Sequence, residues 1–332
     1  MSLFIRRKAG FAWLCTVLPA ITVLVACGQT GAASRGPSVA VKPSASPVVS
    51  QAGRNGIDVA SLAGRITFSD DKYVYIVNAN GTGLKRLTSG PARDFDPTWS
   101  PDGRRIAFRS ERDGSSQIYV MNSDGTVQRN ISRTVEDNWG PAWSPDGTWI
   151  AFNSARGTGN TKMYGFVMRP DGSNVRKLGD TWVEYPAWSP DSQRIAFMSM
   201  QAGASGFNPD YEIYVMNADG SEVKRLTNTP GEDGWPAWSP DGKKIAFTSA
   251  RDNHGQSGGV GPFFDIYVMN VDGSNQIRLT QRFGQFPSWS PDGRYIVFAS
   301  GGGLAVMRAD GSGLTHLPVG IGGDLGFPYW IR

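Results

Sequence analysis

Apolar positions in this chain come in short runs of three or four, set between polar turn residues, and the runs return at a regular interval. Ile-Ala-Phe or a close variant stands at 66–68, 106–108, 150–152, 195–197, 245–247 and 296–298, and each copy reads as a short alternating strand. A second run, Ile-Tyr-Val-Met in its fullest form, stands at 118–121, 213–216 and 266–269, with looser copies at 74–77, 166–168 and 304–307. Trp-Ser-Pro-Asp precedes five of the first runs, with tryptophans at Trp99, Trp143, Trp188, Trp238 and Trp289 spaced 44, 45, 50 and 51 residues apart. A period of this length marks an array of like units rather than two unrelated domains.

The residues between the runs fix the turns. Asn80-Gly81, Asp124-Gly125, Asp171-Gly172, Asp219-Gly220, Asp272-Gly273 and Asp310-Gly311 follow the second run, and such dipeptides allow the positive φ of tight hairpins. A further strand then ends in Leu-Thr, as at Leu87-Thr88, Leu226-Thr227 and Leu279-Thr280. In Ser-Pro-Asp-Gly, proline presets φ, aspartate accepts a nearby backbone N–H, and glycine suits the exit; Ser192 replaces that glycine in the third copy, where strain or a different turn is expected. Each unit therefore offers four antiparallel strands, and the fold expected is an all-β, six-bladed β-propeller of four-stranded blades over residues 64–332. The first unit lacks a Trp strand and the segment Phe327-Pro328-Tyr329-Trp330-Ile331 supplies one, so the C-terminal strand should complete the first blade and close the ring.

These motifs, Trp-Ser-Pro-Asp-Gly, Ile-Ala-Phe and Ile-Tyr-Val-Met-Asn-x-Asp-Gly, resemble the WD40-like PD40 repeats of the TolB family, and the likeness covers about four fifths of the chain. The resemblance implies the propeller, with motif residues that are mostly structural. It also implies that the Ser-Pro-Asp and Asp-Gly turns share one face, and that the loops entering each Trp strand share the other. No counterpart of the α/β domain that precedes the propeller in TolB is expected in residues 1–63, so the role of TolB toward TolA is not carried over.

The first residues read as an export signal: Arg6, Arg7 and Lys8, then a largely apolar stretch from Ala9 to Ala26. Leu24-Val25-Ala26-Cys27 resembles the lipobox of bacterial lipoproteins, which would make residues 1–26 a signal peptide and Cys27 the lipidated N-terminus. The alternative, an uncleaved membrane helix, is near the lower length limit at about 18 residues and contains Pro19. Residues 27–63 then carry the anchor and a Gly, Ala, Ser and Pro-rich tether with a reach of about 30 Å. The destination expected is the envelope, on the outer side of the cytoplasmic membrane or a periplasmic face.

Composition narrows the chemistry. Without the three basic residues of the leader, 30 basic residues oppose 29 acidic ones, about +1, so no nucleic-acid footprint is expected. Cys15 and Cys27 both lie in the first 27 residues, which leaves no disulfide and no thiolate metal site for the body, and no cofactor or metal is expected. One or two residues before the proline that opens each Trp strand comes an aromatic: Phe95, Trp139, Tyr185, Trp235, Phe286 and Phe327. Acids are interleaved with them, among them Asp94, Asp96, Glu136, Asp137, Glu184, Glu232, Asp233 and Asp324, against Arg93, Arg133 and Arg282. Six rings and these carboxylates at the channel mouth would suit a sugar, a cationic group or a basic segment of a partner. The alternative reading is that the rings plug the channel end or pack against neighbouring loops.

Two long excursions, Met198 to Glu212 and Thr248 to Asp265, are further candidate binding loops, the second carrying His254. That second loop also holds Gly255-Gln256-Ser257-Gly258-Gly259, a formal match to the G-x-S-x-G elbow; the elbow needs a strand-to-helix turn, so Ser257 is not taken as a nucleophile. The repeated tryptophans are expected between blades and Asp102, Asp146, Asp191, Asp241 and Asp292 in turns, while His316 should be an exposed outer-strand residue. The leading expectation is a monomeric, membrane-tethered scaffold that binds an envelope protein, peptide or glycan through the mouth residues. The alternative is a polysaccharide-active lyase or hydrolase using mouth carboxylates such as Asp137, Glu184 or Asp233.

Overall fold

The computed structural model describes residues 56–200, 211–252, 264–281 and 283–332. Cys27 with the leader and the tether to residue 55, His254 and Ser257, and Arg282 lie outside them. The described residues form six four-stranded antiparallel sheets, and the one helical element among them is a 3-10 turn at Val59–Ser61. The second blade shows the plan: Asp94–Trp99, Arg105–Ser110, Gln117–Asn122 and Arg129–Asn130 pair in chain order. Strands equivalent to Asp94–Trp99 touch one another from blade to blade and are the innermost of each sheet. Gly326–Ile331 supplies the innermost strand of the first blade, with Arg65 opposite Ile331 and Ile66 opposite Trp330, so the two ends of the folded chain are joined in one sheet.

The alternation expected for Ile-Ala-Phe is absent. Ile106, Ala107 and Phe108 are all fully buried, as are Ile150, Ala151 and Phe152, because each blade is covered on both faces by its neighbours. The apolar side chains sort into six clusters, each spanning one blade interface and each holding one buried tryptophan: Trp99, Trp143, Trp188, Trp238, Trp289 and Trp330. The indoles also tie blades by hydrogen bonds, with Trp188 Nε1 donating to Ala142 O at 3.1 Å and Trp238 Nε1 to Ala187 O at 3.2 Å. Ile57 and Leu62 are buried in the cluster between the sixth and first blades, so the segment just ahead of the first strand belongs to the core.

The turns follow the expected chemistry. In Ser100-Pro101-Asp102-Gly103, Asp102 Oδ1 accepts from the Ser100 hydroxyl at 2.6 Å and from Arg104 N at 3.1 Å, which holds its carboxyl below the usual range. Ser192 keeps the same turn, with Ser192 N donating to Ser189 O, at the cost of a left-handed φ of 59°. The outermost strands are two residues long in five blades, and pairs such as Lys85-Arg86 and Lys224-Arg225 put charge on these edges, which discourages pairing with another chain. His316 lies there, opposite Ala305, and is exposed.

Candidate functional site

Every innermost strand carries the same irregularity. The residue before its proline has a positive φ: Asp96 (52°), Gly140 (55°), Tyr185 (45°), Trp235 (50°), Phe286 (57°) and Phe327 (53°). The pairing register shifts at the same place in all six blades. Such a bulge interrupts the ladder, so the missing N–H of the following proline costs nothing, and it turns the bulged side chain away from the sheet.

Four of the bulged residues are aromatic, and their rings meet. Tyr185 of the fourth blade stacks on Phe327 of the first at 5.5 Å between centroids, although these blades stand opposite each other in a ring of six. Phe286 lies 4.2 Å from Phe327 and 5.0 Å from Trp235, and Trp235 lies 5.8 Å from Tyr185. The four therefore form one half-buried cluster across the centre of the ring. Phe95 and Trp139 stand one residue earlier and do not join it. Phe95 is buried between the guanidinium groups of Arg93 and Arg109, at 4.7 and 4.4 Å, and Trp139 is half-buried with Arg109 at 5.7 Å. Their places at the bulge are taken by Asp96 and Gly140. Asp96 has Arg109 Nε 3.5 Å from Oδ2, and burial still pushes its carboxyl above the usual range against the pull of that cation.

The other mouth acids divide by partner. Asp94 is paired with Arg112 at 3.1 Å and Asp233 with Arg251 at 2.7 Å, in matching networks in which each arginine also donates to a serine and a glutamine. Asp137 accepts from Ser116 N at 2.8 Å. Glu184 is buried and accepts from Trp182 Nε1 at 2.7 Å and from the Tyr211 hydroxyl at 3.0 Å, and desolvation raises its pKa. Glu232 is half-buried; burial, then the charges of Glu184 and Asp233, push it up to about 7.

Residues 43–184 and 179–258 match the family described as the TolB beta propeller domain. The chain belongs to this family. It is 43% identical over 171 residues to a protein TolB homolog of Chlorobium luteolum, across 52% of this chain and 38% of that protein, so it spans well under half the length of that relative. TolB from Acinetobacter baumannii superposes with a TM-score of 0.67 at 24% identity, covering 80% of this chain and 66% of that one. The tricorn protease superposes with a TM-score of 0.60 at 18% identity, covering 80% of this chain and 26% of that one. Both likenesses concern the fold alone.

Within this TolB-family ring, the structure brings Tyr185, Trp235, Phe286 and Phe327 together, with Glu184 next to Tyr185 in the chain, and leaves Phe95, Trp139 and Asp137 apart from them. Three neighbours of the site were not singled out from sequence. Arg109 follows Ile-Ala-Phe, where the other blades have Ser69, Asn153, Met198, Thr248 and Ala299, and stacking the repeats in register would have exposed it. Trp182 ends an outer strand that runs from Arg176 for seven residues, where the sister strands have two. Gly179 stands where Thr88, Ser132, Thr227 and Thr280 close the ladder elsewhere by accepting a backbone N–H, so the strand runs on and delivers Trp182 beside Glu184. Tyr211 opens the third strand of the fourth blade, just after residues 201–210.

Proposed function

We propose that this TolB-family propeller is an exported binding module, tethered to the envelope by a lipid on Cys27, that engages a protein, peptide or glycan at the mouth bearing Tyr185, Trp235, Phe286 and Phe327. One observation carries the reading: four rings from four blades converge to a half-buried aromatic surface where a channel would otherwise run. Rings of this kind offer large contact area at low entropic cost, and membership in the TolB family supports an envelope setting. A lyase or hydrolase reading has less support, because Asp233 is bound to Arg251 and Asp137 to the backbone of Ser116.

The test is thermal unfolding of the chain with glycans, peptides and envelope extract, compared with a Trp139→Ala/Trp235→Ala variant that still unfolds cooperatively. A ligand at about 100 times its Kd should add roughly 2.7 kcal/mol of stability to the wild type. The same shift in the variant would remove the mouth as the binding surface.

A further inference from the structure

Six carboxylates among the described residues are buried: Asp94, Asp96, Glu184, Glu212, Asp233 and Asp265. Five have an arginine close by, namely Arg112 at 3.1 Å, Arg109 at 3.5 Å, Arg225 at 2.5 Å, Arg251 at 2.7 Å and Arg278 at 2.7 Å, taking the acids Asp94, Asp96, Glu212, Asp233 and Asp265 in turn. Glu184 is the exception. It is 8% exposed, both of its donors are neutral and go to Oε1, and among the described residues Oε2 has no hydrogen-bond partner. Glu232 sits near enough to feel the charge of Glu184, and among the described residues its side chain makes no hydrogen bond or ion pair.

A buried carboxylate without a counter-charge is among the least favourable groups a fold can hold, and this fold supplies an arginine in every other case. Among the described residues no lysine or arginine pairs with Glu184, and of the stretches that lead into Tyr211 and Phe264, residues 201–210 contain no basic residue and residues 253–263 only His254. Trp182 and Tyr211 meet Glu184 through their polar edges, Tyr211 also lies near Glu232, and Tyr185 lies near Glu184, so the pair is bordered by rings of the kind whose π faces attract cations. We propose that Glu184 and Glu232 form the seat for an ammonium or guanidinium group brought by the ligand of the mouth. This rests on the mouth being a binding surface and names the chemistry that it recognises. Two carboxylates among rings suit an organic cation better than a calcium ion, which takes six to eight oxygen ligands; among the described residues no group of three or more His, Cys, Asp or Glu is placed to hold a metal.

The experiment is a titration of the chain with tri-arginine amide, trilysine amide and spermidine, followed by tryptophan emission, with citrulline and acetyl-lysine tripeptides and calcium as controls. The wild type should bind at least one cationic probe and neither neutral tripeptide. Glu184→Gln, which keeps the acceptor for Trp182 and Tyr211, should weaken that binding at least tenfold, and Glu232→Gln should weaken it less. Without ligand, Glu184→Gln should raise Tm, whereas a merely structural role would lower it. Binding of spermidine alone would assign the seat to a free polyamine, and binding of the tripeptides to a basic partner segment. The proposal is overturned by calcium outcompeting every organic cation, by equal affinity of Glu184→Gln, by a lowered Tm, or by no cationic probe binding the wild type. A neutral glycan or peptide that binds wild type and Glu184→Gln alike would sink the cation seat while leaving the mouth as the binding surface.

Discussion

Val127 holds a φ of 55°, which a β-branched side chain adopts only under strain, at a hairpin position where sister blades carry Gly83, Asn174, Glu222, Asn275 and Gly313. Its side chain is exposed, so Val127→Asn gives up little packing and should stabilise the protein by about 1 kcal/mol, read as a higher urea midpoint at unchanged slope. Glu232 makes a prediction of opposite character. Its carboxyl is pushed up to about 7 in the fold from an ordinary 4.5, so between these values the folded state holds a proton that the unfolded state has lost. Stability from this group is therefore complete below pH 4.5 and falls as pH rises to 7, by at most about 3 kcal/mol. Stability curves of wild type and Glu232→Gln should diverge across that window in favour of the variant; parallel curves would show that the group is not perturbed.

At the scale of elements, the glycine of each Asp-Gly hairpin answers two demands. Gly172 has a φ of 89°, and a Cβ there would lie 2.4 Å from Ile131 O in the preceding blade, whereas at Gly147, with a φ of 72°, the nearest atom would be Pro101 Cγ at 3.4 Å. Gly147→Ala should cost the backbone strain alone, about 1 kcal/mol, and Gly172→Ala clearly more, because a backbone carbonyl at a blade interface has to move. Equal unfolding midpoints for the two variants would refute the close approach. The same hairpins show what a sequence reveals and what it hides. Asp-Gly, Ser-Pro-Asp and the tryptophan period are local chemistry, so the strands, the blade count and the closing segment were legible from composition and spacing. The conformation before each proline was not, since Asp96, Gly140 and Phe286 share a backbone shape that their side chains do not announce. Which rings meet depends on that shape, and a one-residue offset sends Phe95 and Trp139 to Arg109 instead of to the centre.

For the molecule as a whole, six interfaces of similar make-up turn a linear array into a ring, and the ring removes the two ends that such an array would leave exposed. Closure rests on one strand, Gly326–Ile331, which pairs with Arg65–Ser69, buries Trp330 between the sixth and first blades, and contributes Phe327 to the central cluster. Removing residues 326–332 would uncover Ile66 and Phe68 along an open edge and take one of the four rings from the mouth. The truncated chain should lose stability well beyond the roughly 3–5 kcal/mol of a single Trp→Ala change, because an interface and a sheet edge go together. A peptide of residues 324–332 added in trans should restore the cooperative transition with increasing dose, by adding a strand to that edge. Recovery of the fold by a peptide carrying Phe327→Ala, without recovery of ligand binding, would separate the strand's part in closing the ring from its part in the mouth. Failure of any peptide to rescue would mean that the strand's contribution depends on its covalent link to the sixth blade.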